Sequence, residues 1–183
     1  HLLFDYLTRH GIENHYLQSI SSTDELVTAL DILPIEVVTR NYASGHFVSK
    51  FDATPMQALT PVVQEFYFKS DTLDDPFMND SQILALGHAT AAELAQLRQQ
   101  SQDVNRLLSV LFEQVGIRLV DFKLEFGRTA TGKIILADEL SPDNMRLVDI
   151  ATGKSLDKDV FRQHTGDVTV GYHDVLTRLQ QAI

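Results

Sequence analysis

Residues 119–126 read LVDFKLEF, and their alternation decides the fold class. Val120, Phe122, Leu124 and Phe126 are apolar at every second position, with Asp121, Lys123 and Glu125 between them. A period of two is the signature of a strand with one packed face and one polar face. The chain then turns at Thr129–Gly132 and returns through 133–138 (KIILAD), which predicts an antiparallel hairpin. Upstream lies the clearest helix. Thr90 and Glu93 have capping-box spacing, and Leu94, Leu97, Val104, Leu107, Leu108, Leu111, Phe112 and Val115 form one apolar stripe that Gly116 closes.

Further out the signals are shorter. Leu2, Leu3, Tyr6 and Leu7 have helical spacing, with Gly11 as the stop, and residues 14–20 read as extended. Ser22 and Glu25 repeat the capping-box spacing, predicting a short helix over 23–30 that Pro34 ends. The β-branched run 35–40 (IEVVTR) and residues 62–69 predict two more strands, and 166–183 a final helix. An antiparallel sheet with a long helix and a C-terminal helix, without regular β-α-β alternation, is an α+β fold.

Composition narrows the function. The 183 residues carry a formal charge of −10, which argues against nucleic acid as a partner, because such binding rests on clustered basic groups. Small anionic ligands remain open, since they need only a few placed cations. With no cysteine, disulfides, thiolate catalysis and Cys-ligated zinc are excluded. No apolar run approaches the ~18–20 residues of a membrane span, and no signal peptide is visible. The expectation is a cytoplasmic protein, and a start at His1 rather than Met reads as a piece of something longer.

Candidate chemistry gathers on the hairpin. Alternation puts Asp121, Lys123 and Glu125 on one face, each about 6.5–7 Å from the next. A hairpin loop with an even number of residues would set Lys123 opposite Asp138 and bring Asp138 to that face; an odd loop would move it to the other. Such a cluster suits Mg²⁺ on oxygen ligands with a lysine toward phosphate; its plain alternative is a solvated face of compensating charges. Ser141-Pro142-Asp143 is a strong turn signal. Arg146 beyond it either binds an anion through its fork or pairs with Asp143 or Asp149. Arg40 precedes a small-residue loop, 41–46 (NYASGH), where Gly45 lets amides approach an anion and His46 can donate. Lys69 and the acidic run with Asp71, Asp74 and Asp75 form another loop. The remaining histidines, His15 among them, show no metal-ligand spacing, and most read as surface residues. P-loop, dinucleotide and nucleophile-elbow motifs are absent from the sequence.

LVDFKLEFG (119–127), LPIEVVTRNYASG (33–45), ADELSPDNMRLVD (137–149) and FYFKSDTLDDP (66–76) together resemble the SAICAR synthetase family, over essentially the whole chain. The resemblance implies a SAICAR synthase-like fold and a ligase of de novo purine biosynthesis. From ATP, Mg²⁺, L-aspartate and carboxyaminoimidazole ribonucleotide it makes the succinocarboxamide product through an acyl phosphate. It places Glu125 and Asp138 at the metal and nucleotide phosphates, Lys123 near the phosphates or the reacting carboxylate, and Arg40 and Arg146 on the ribonucleotide phosphate. Asp75 and Asp143 fall near the imidazole or aspartate, Leu30 and Ile32 at the hinge that meets adenine, and Lys69 at nucleotide or substrate. His46 stands where the family has a serine that contacts phosphate. The resemblance further implies a homo-oligomer and a missing N-terminal ATP-covering lobe, with residues 1–33 its remnant and hinge and 34–183 the central domain. Two other readings compete: a non-catalytic remnant, and a small-molecule kinase of related fold, to which Asp121-x-Lys123 corresponds.

Overall fold

The structure, a computed structural model, describes residues 1–162, 164 and 166–183. In chain order the elements are α1 (Leu2–Arg9), β1 (Tyr16–Ser19), β2 (Glu25–Val27), β3 (Asp31–Tyr42), α2 (His46–Phe51), β4 (Ala58–Phe68) and β5 (Phe77–Met78). They continue with α3 (Asp80–Ala85), α4 (Ala91–Gln114), β6 (Ile117–Arg128), β7 (Ile134–Ala137), β8 (Met145–Asp149), α5 (Asp159–Arg162) and α6 (Val168–Ala182). Among the described residues β1 and β2 form a two-stranded sheet, and the other strands form a six-stranded sheet of order β5-β4-β3-β6-β7 with β8 also on β6. This is the expected α+β fold.

The chain divides into two compact units. The first comprises His1–Val38, Glu65–Val104 and Leu124–Leu140; the second comprises Thr39–Gln64, Asn105–Lys123 and Ser141–Ile183. The first unit buries Leu7, Leu33, Ile35, Phe66, Ile83, Leu97 and Phe126, and the second buries Leu108, Leu111, Phe112, Ile117, Phe122, Leu147 and Val175. Each such side chain contributes about 1.5–3 kcal/mol on leaving water.

The local chemistry of the long helix is as its sequence requires. Thr90 N donates to Glu93 at 2.7 Å and Glu93 N to Thr90 Oγ1 at 3.3 Å, a reciprocal cap. Gly116 takes the left-handed conformation, φ +72°, that lets the chain turn into β6. The helix expected over 23–30 is instead β2. Ser21 Oγ accepts from the amides of Thr23 and Asp24, at 3.1 and 3.0 Å, and so folds a turn rather than capping a helix. Across that turn β1 and β2 pair antiparallel. Pro34 ends nothing: it lies inside β3 and its carbonyl accepts from Lys69 N at 3.1 Å.

The β6–β7 register also departs from the even-loop arrangement. Glu125 faces Ala137 and Phe126 faces Leu136, so the loop is the odd one, residues 130–132. Gly132 at φ +81° supplies the left-handed residue that closes a three-residue hairpin loop. Strand alternation therefore takes Asp138 off the Glu125 face. Asp138, however, lies past the end of β7 at φ +61°, where alternation no longer sets side-chain direction. Strand β8 was not foreseen; it pairs with β6 from Ile117 to Phe122, with a bulge between Leu119 and Asp121.

Candidate active site

In the first unit, Glu125 is 3% exposed on a strand flanked by buried Leu124 and Phe126. A buried carboxylate needs a counter-charge, and Lys69, just past the end of β4, provides one. Its Nζ donates to Oε1 at 2.6 Å and to Oε2 at 2.7 Å. Lys69 is set by Pro34, which fixes its backbone, and by the loop beyond it. There Asp75 Oδ1 accepts from Ser70 N at 2.7 Å, so the Asp75 carboxylate shapes the loop. Asp138 follows β7, whose strand is clipped by Leu136 N donating to Glu13 O and His15 N donating to Leu136 O. His15 is half-buried, with its ring 5.2 Å from Phe4, edge-on; burial pushes its pKa down, against the pull of a hydrogen bond to the Asp138 backbone. A lone histidine carries no sequence signal of such packing.

Gly127, two residues past Glu125 on β6, lies against Leu30 and Ile32. A Cβ there would come within 2.7 Å of Leu30 Cβ and 3.1 Å of Ile32 Cδ1, so only glycine lets this chain segment lie against β6. Ile32 stays 41% exposed, leaving an apolar, accessible strip next to backbone groups at the start of β3.

The second unit holds the arginines. Arg40 is 5% exposed and Asp121 3%. Arg40 Nη1 donates to Asp121 Oδ2 at 2.6 Å, and Arg146 Nη1 donates to the same oxygen at 2.9 Å and to Oδ1 at 3.1 Å. Arg146 Nε donates to Asp159 at 2.8 Å. Its Nη2 lies against Gly45, where a Cβ would be 2.8 Å away; Gly45 at φ +54° keeps that approach open. Burial works to lower the Arg146 pKa, but the attraction of Asp121 and Asp159 outweighs it and raises the value. Lys158 lies in the same field, its pKa lowered first by burial and then by Arg162 and Arg146.

The Ser141-Pro142-Asp143 turn forms as its residues suggest. Ser141 Oγ accepts from Asp143 N at 3.1 Å, and Tyr172 donates its hydroxyl to Asp143 at 3.2 Å. Asn144 brackets Lys123 on both sides, its carbonyl accepting from Lys123 N at 2.9 Å and its amide donating to Lys123 O at 3.2 Å. His46 is exposed at the start of α2.

The structure thus brings Lys69 to Glu125, and Arg40 to Arg146, through carboxylates. Asp121 and Glu125 are buried rather than solvated, and their charges are compensated by Arg40 and Arg146 and by Lys69. Arg146 pairs with neither Asp143 nor Asp149; Asp149 instead binds Arg178 and Thr152, which hold its carboxyl at about 2. Sequence reasoning missed Asp159 and Lys158, and gave Asp121 no role of its own. No three His, Asp or Glu side chains among the described residues gather closely enough to hold a metal by themselves. A carboxylate such as that of Glu125 offers the hard oxygens that Mg²⁺ takes, an ion that ordinarily binds one or two carboxylates and completes its shell with substrate phosphates and water. No described helix is long and apolar enough to cross a membrane.

The first unit thus holds a buried carboxylate neutralised by a lysine, and the second an arginine pair gathered on one aspartate beside Gly45. The family model for SAICAR synthetase matches residues 1–179, and the chain belongs to that family, whose ligase role in purine biosynthesis it shares. It is 56% identical over 182 residues to the phosphoribosylaminoimidazole-succinocarboxamide synthase of Oenococcus oeni, covering 100% of this chain and 76% of that protein. The crystal structure of the same enzyme from Ehrlichia chaffeensis superposes with a TM-score of 0.94 at 41% identity, covering 100% of this chain and 78% of that one. A SAICAR synthetase solved in complex with ADP also gives 0.94, at 37% identity over 97% of this chain and 76% of that one.

Proposed function

We propose that this ligase joins L-aspartate to the carboxylate of carboxyaminoimidazole ribonucleotide at the expense of ATP, through an acyl phosphate. A carboxylate oxygen of the ribonucleotide attacks the γ-phosphorus, the bond to the bridging oxygen breaks, and ADP leaves. The aspartate amine then attacks the acyl carbon, loses a proton, and displaces phosphate. Phosphorylation turns a poor leaving group into a good one; the remaining work is positioning and charge stabilisation.

The observation that supports this reading is the Arg40–Asp121–Arg146 assembly, in which one carboxylate holds both guanidiniums in place. Arg forks suit a phosphate, so Arg40 and Arg146 take the ribonucleotide's 5′-phosphate, with Gly45, His46 and Lys158 close to that end. Lys123 serves the phosphates or the reacting carboxylate. Asp75 and Asp143 serve the imidazole or aspartate. The Leu30–Ile32 strip receives adenine. Glu125 and Asp138 would hold Mg²⁺, which screens phosphate charge when bound; Lys69 lies at the same end. The enzyme works in the cytoplasm as a homo-oligomer.

A coupled assay of ADP release, with ATP, Mg²⁺ and the ribonucleotide, tests the reading. ADP release that requires L-aspartate is expected. Release independent of aspartate would point to the kinase alternative, and none at all to the non-catalytic remnant.

A further inference from the structure

The Lys69–Glu125 pair is unequal. The Glu125 side chain is 3% exposed and that of Lys69 43%. The carboxylate is fixed inside the sheet, whereas the lysine side chain is partly exposed along a flexible four-carbon stem. The base of that stem does not move freely, because Lys69 N is bound to the Pro34 carbonyl and the next amide, Ser70 N, to Asp75. Only the side chain is left to swing. Its Nζ bridges both carboxylate oxygens, at 2.6 and 2.7 Å, which is the position a cation bound to this carboxylate would take. An ammonium and a divalent cation cannot share that position, since their repulsion at contact distance is large even in a well-screened site.

We infer that Lys69 is an exchangeable counter-ion: it holds the Glu125 carboxylate in place through both oxygens, and a divalent cation arriving with nucleotide displaces it. This rests on the reading of Glu125 as a cation ligand. The released ammonium then finds its new partner in the nucleotide phosphates, so cation alone binds weakly and cation with nucleotide binds well. Metal and nucleotide become coupled through one lysine.

The test uses Mn²⁺ as the probe, followed by the electron paramagnetic resonance of the free ion, with and without ADP. Lys69→Met removes the competing charge, so Mn²⁺ alone should bind about tenfold more tightly or better than to the parent, and the enhancement by ADP should shrink. Lys69→Gln, neutral but still able to donate to the carboxylate, should change in the same direction; Lys69→Arg, which keeps the charge, should stay near the parent. Glu125→Gln should lose Mn²⁺ binding. A lysine that only supports the fold would not make metal binding tighter when removed. Unchanged or weaker Mn²⁺ binding in both neutral variants, with Glu125→Gln still sensitive, overturns the exchange and leaves Glu125 as a ligand. Indifference of Mn²⁺ to Glu125→Gln overturns both.

Discussion

Arg40 and Arg146 reach the same oxygen of Asp121 from different strands, at 2.6 and 2.9 Å. Removing the carboxylate leaves two guanidiniums facing each other in a largely dry site. Asp121→Asn should cost about 3–5 kcal/mol of stability, the range for breaking a buried ion pair from one side, read as a lower urea midpoint. Inorganic phosphate should then stabilise this variant more than the parent, because it supplies the missing negative charge. Equal stabilisation of the two would sink the claim that this pair is an anion site.

Gly127 carries a second prediction. With a Cβ placed 2.7 Å from Leu30 Cβ, Gly127→Ala must push the Leu30–Ile32 segment off β6. Overpacking of this kind costs about 1–3 kcal/mol, and the strip proposed to receive adenine moves with it. Calorimetric titration should show ADP affinity falling at least about fivefold, taken as a shift of roughly 1 kcal/mol. Gly132→Ala serves as the control: its φ is +81° but nothing lies within 4 Å of the added carbon, so stability alone should change.

Glu93 sets a pH dependence. Its hydrogen bond from Arg128 at 2.7 Å, with the cap at Thr90, holds its carboxyl at about 2, below the ordinary 4.5. The folded chain therefore binds this proton less readily than the unfolded chain, and the contribution is present above about pH 4.5 and lost as pH falls toward 2. Glu93→Gln keeps a capping acceptor but loses the charge paired with Arg128, and should destabilise by about 0.5–1 kcal/mol at pH 7, the range for an ion pair near the surface. Denaturant melts at several pH values should show that difference closing between pH 4.5 and 2; a constant difference would assign the effect to packing.

Those two ends of α4 and β6 were legible in the sequence because each signal there is local. Capping spacing, a stripe and a closing glycine concern neighbours along the chain, and so does period-two alternation. The misread segments depended on distant partners. Ser22 and Glu25 have a cap's spacing, yet pairing with β1 decided for a strand. Arg146 could be called an anion ligand or half of an ion pair, but its true partners, Asp121 and Asp159, lie 25 and 13 residues away. Asp121 looked like one charge of a solvated row, because alternation tells which face a residue takes and not whether that face is covered. The family motifs named Arg40, Arg146, Lys69 and Glu125 without giving these pairings.

His46 and Arg146 separate what holds the ribonucleotide phosphate. His46 is exposed at the start of α2, where a serine hydroxyl would offer one donor in place of another. Its replacement therefore exchanges like for like, and exposed changes of this sort move stability by less than about 0.5 kcal/mol. His46→Ser should leave the melting temperature unchanged and shift the KM for the ribonucleotide by less than about threefold, under 1 kcal/mol. Arg146→Lys keeps the charge but loses the fork that spans Asp121, Asp159 and the Gly45 loop. A lost hydrogen bond to a charged group is worth about 1.5–3 kcal/mol, so KM should rise at least about tenfold, with a smaller change in kcat because the phosphate end does not react. Steady-state kinetics on the two variants decide the matter. A tenfold gain in His46→Ser would instead show that the histidine obstructs the phosphate, and a kcat loss without a KM change in Arg146→Lys would move that arginine from the phosphate to the reacting carboxylate.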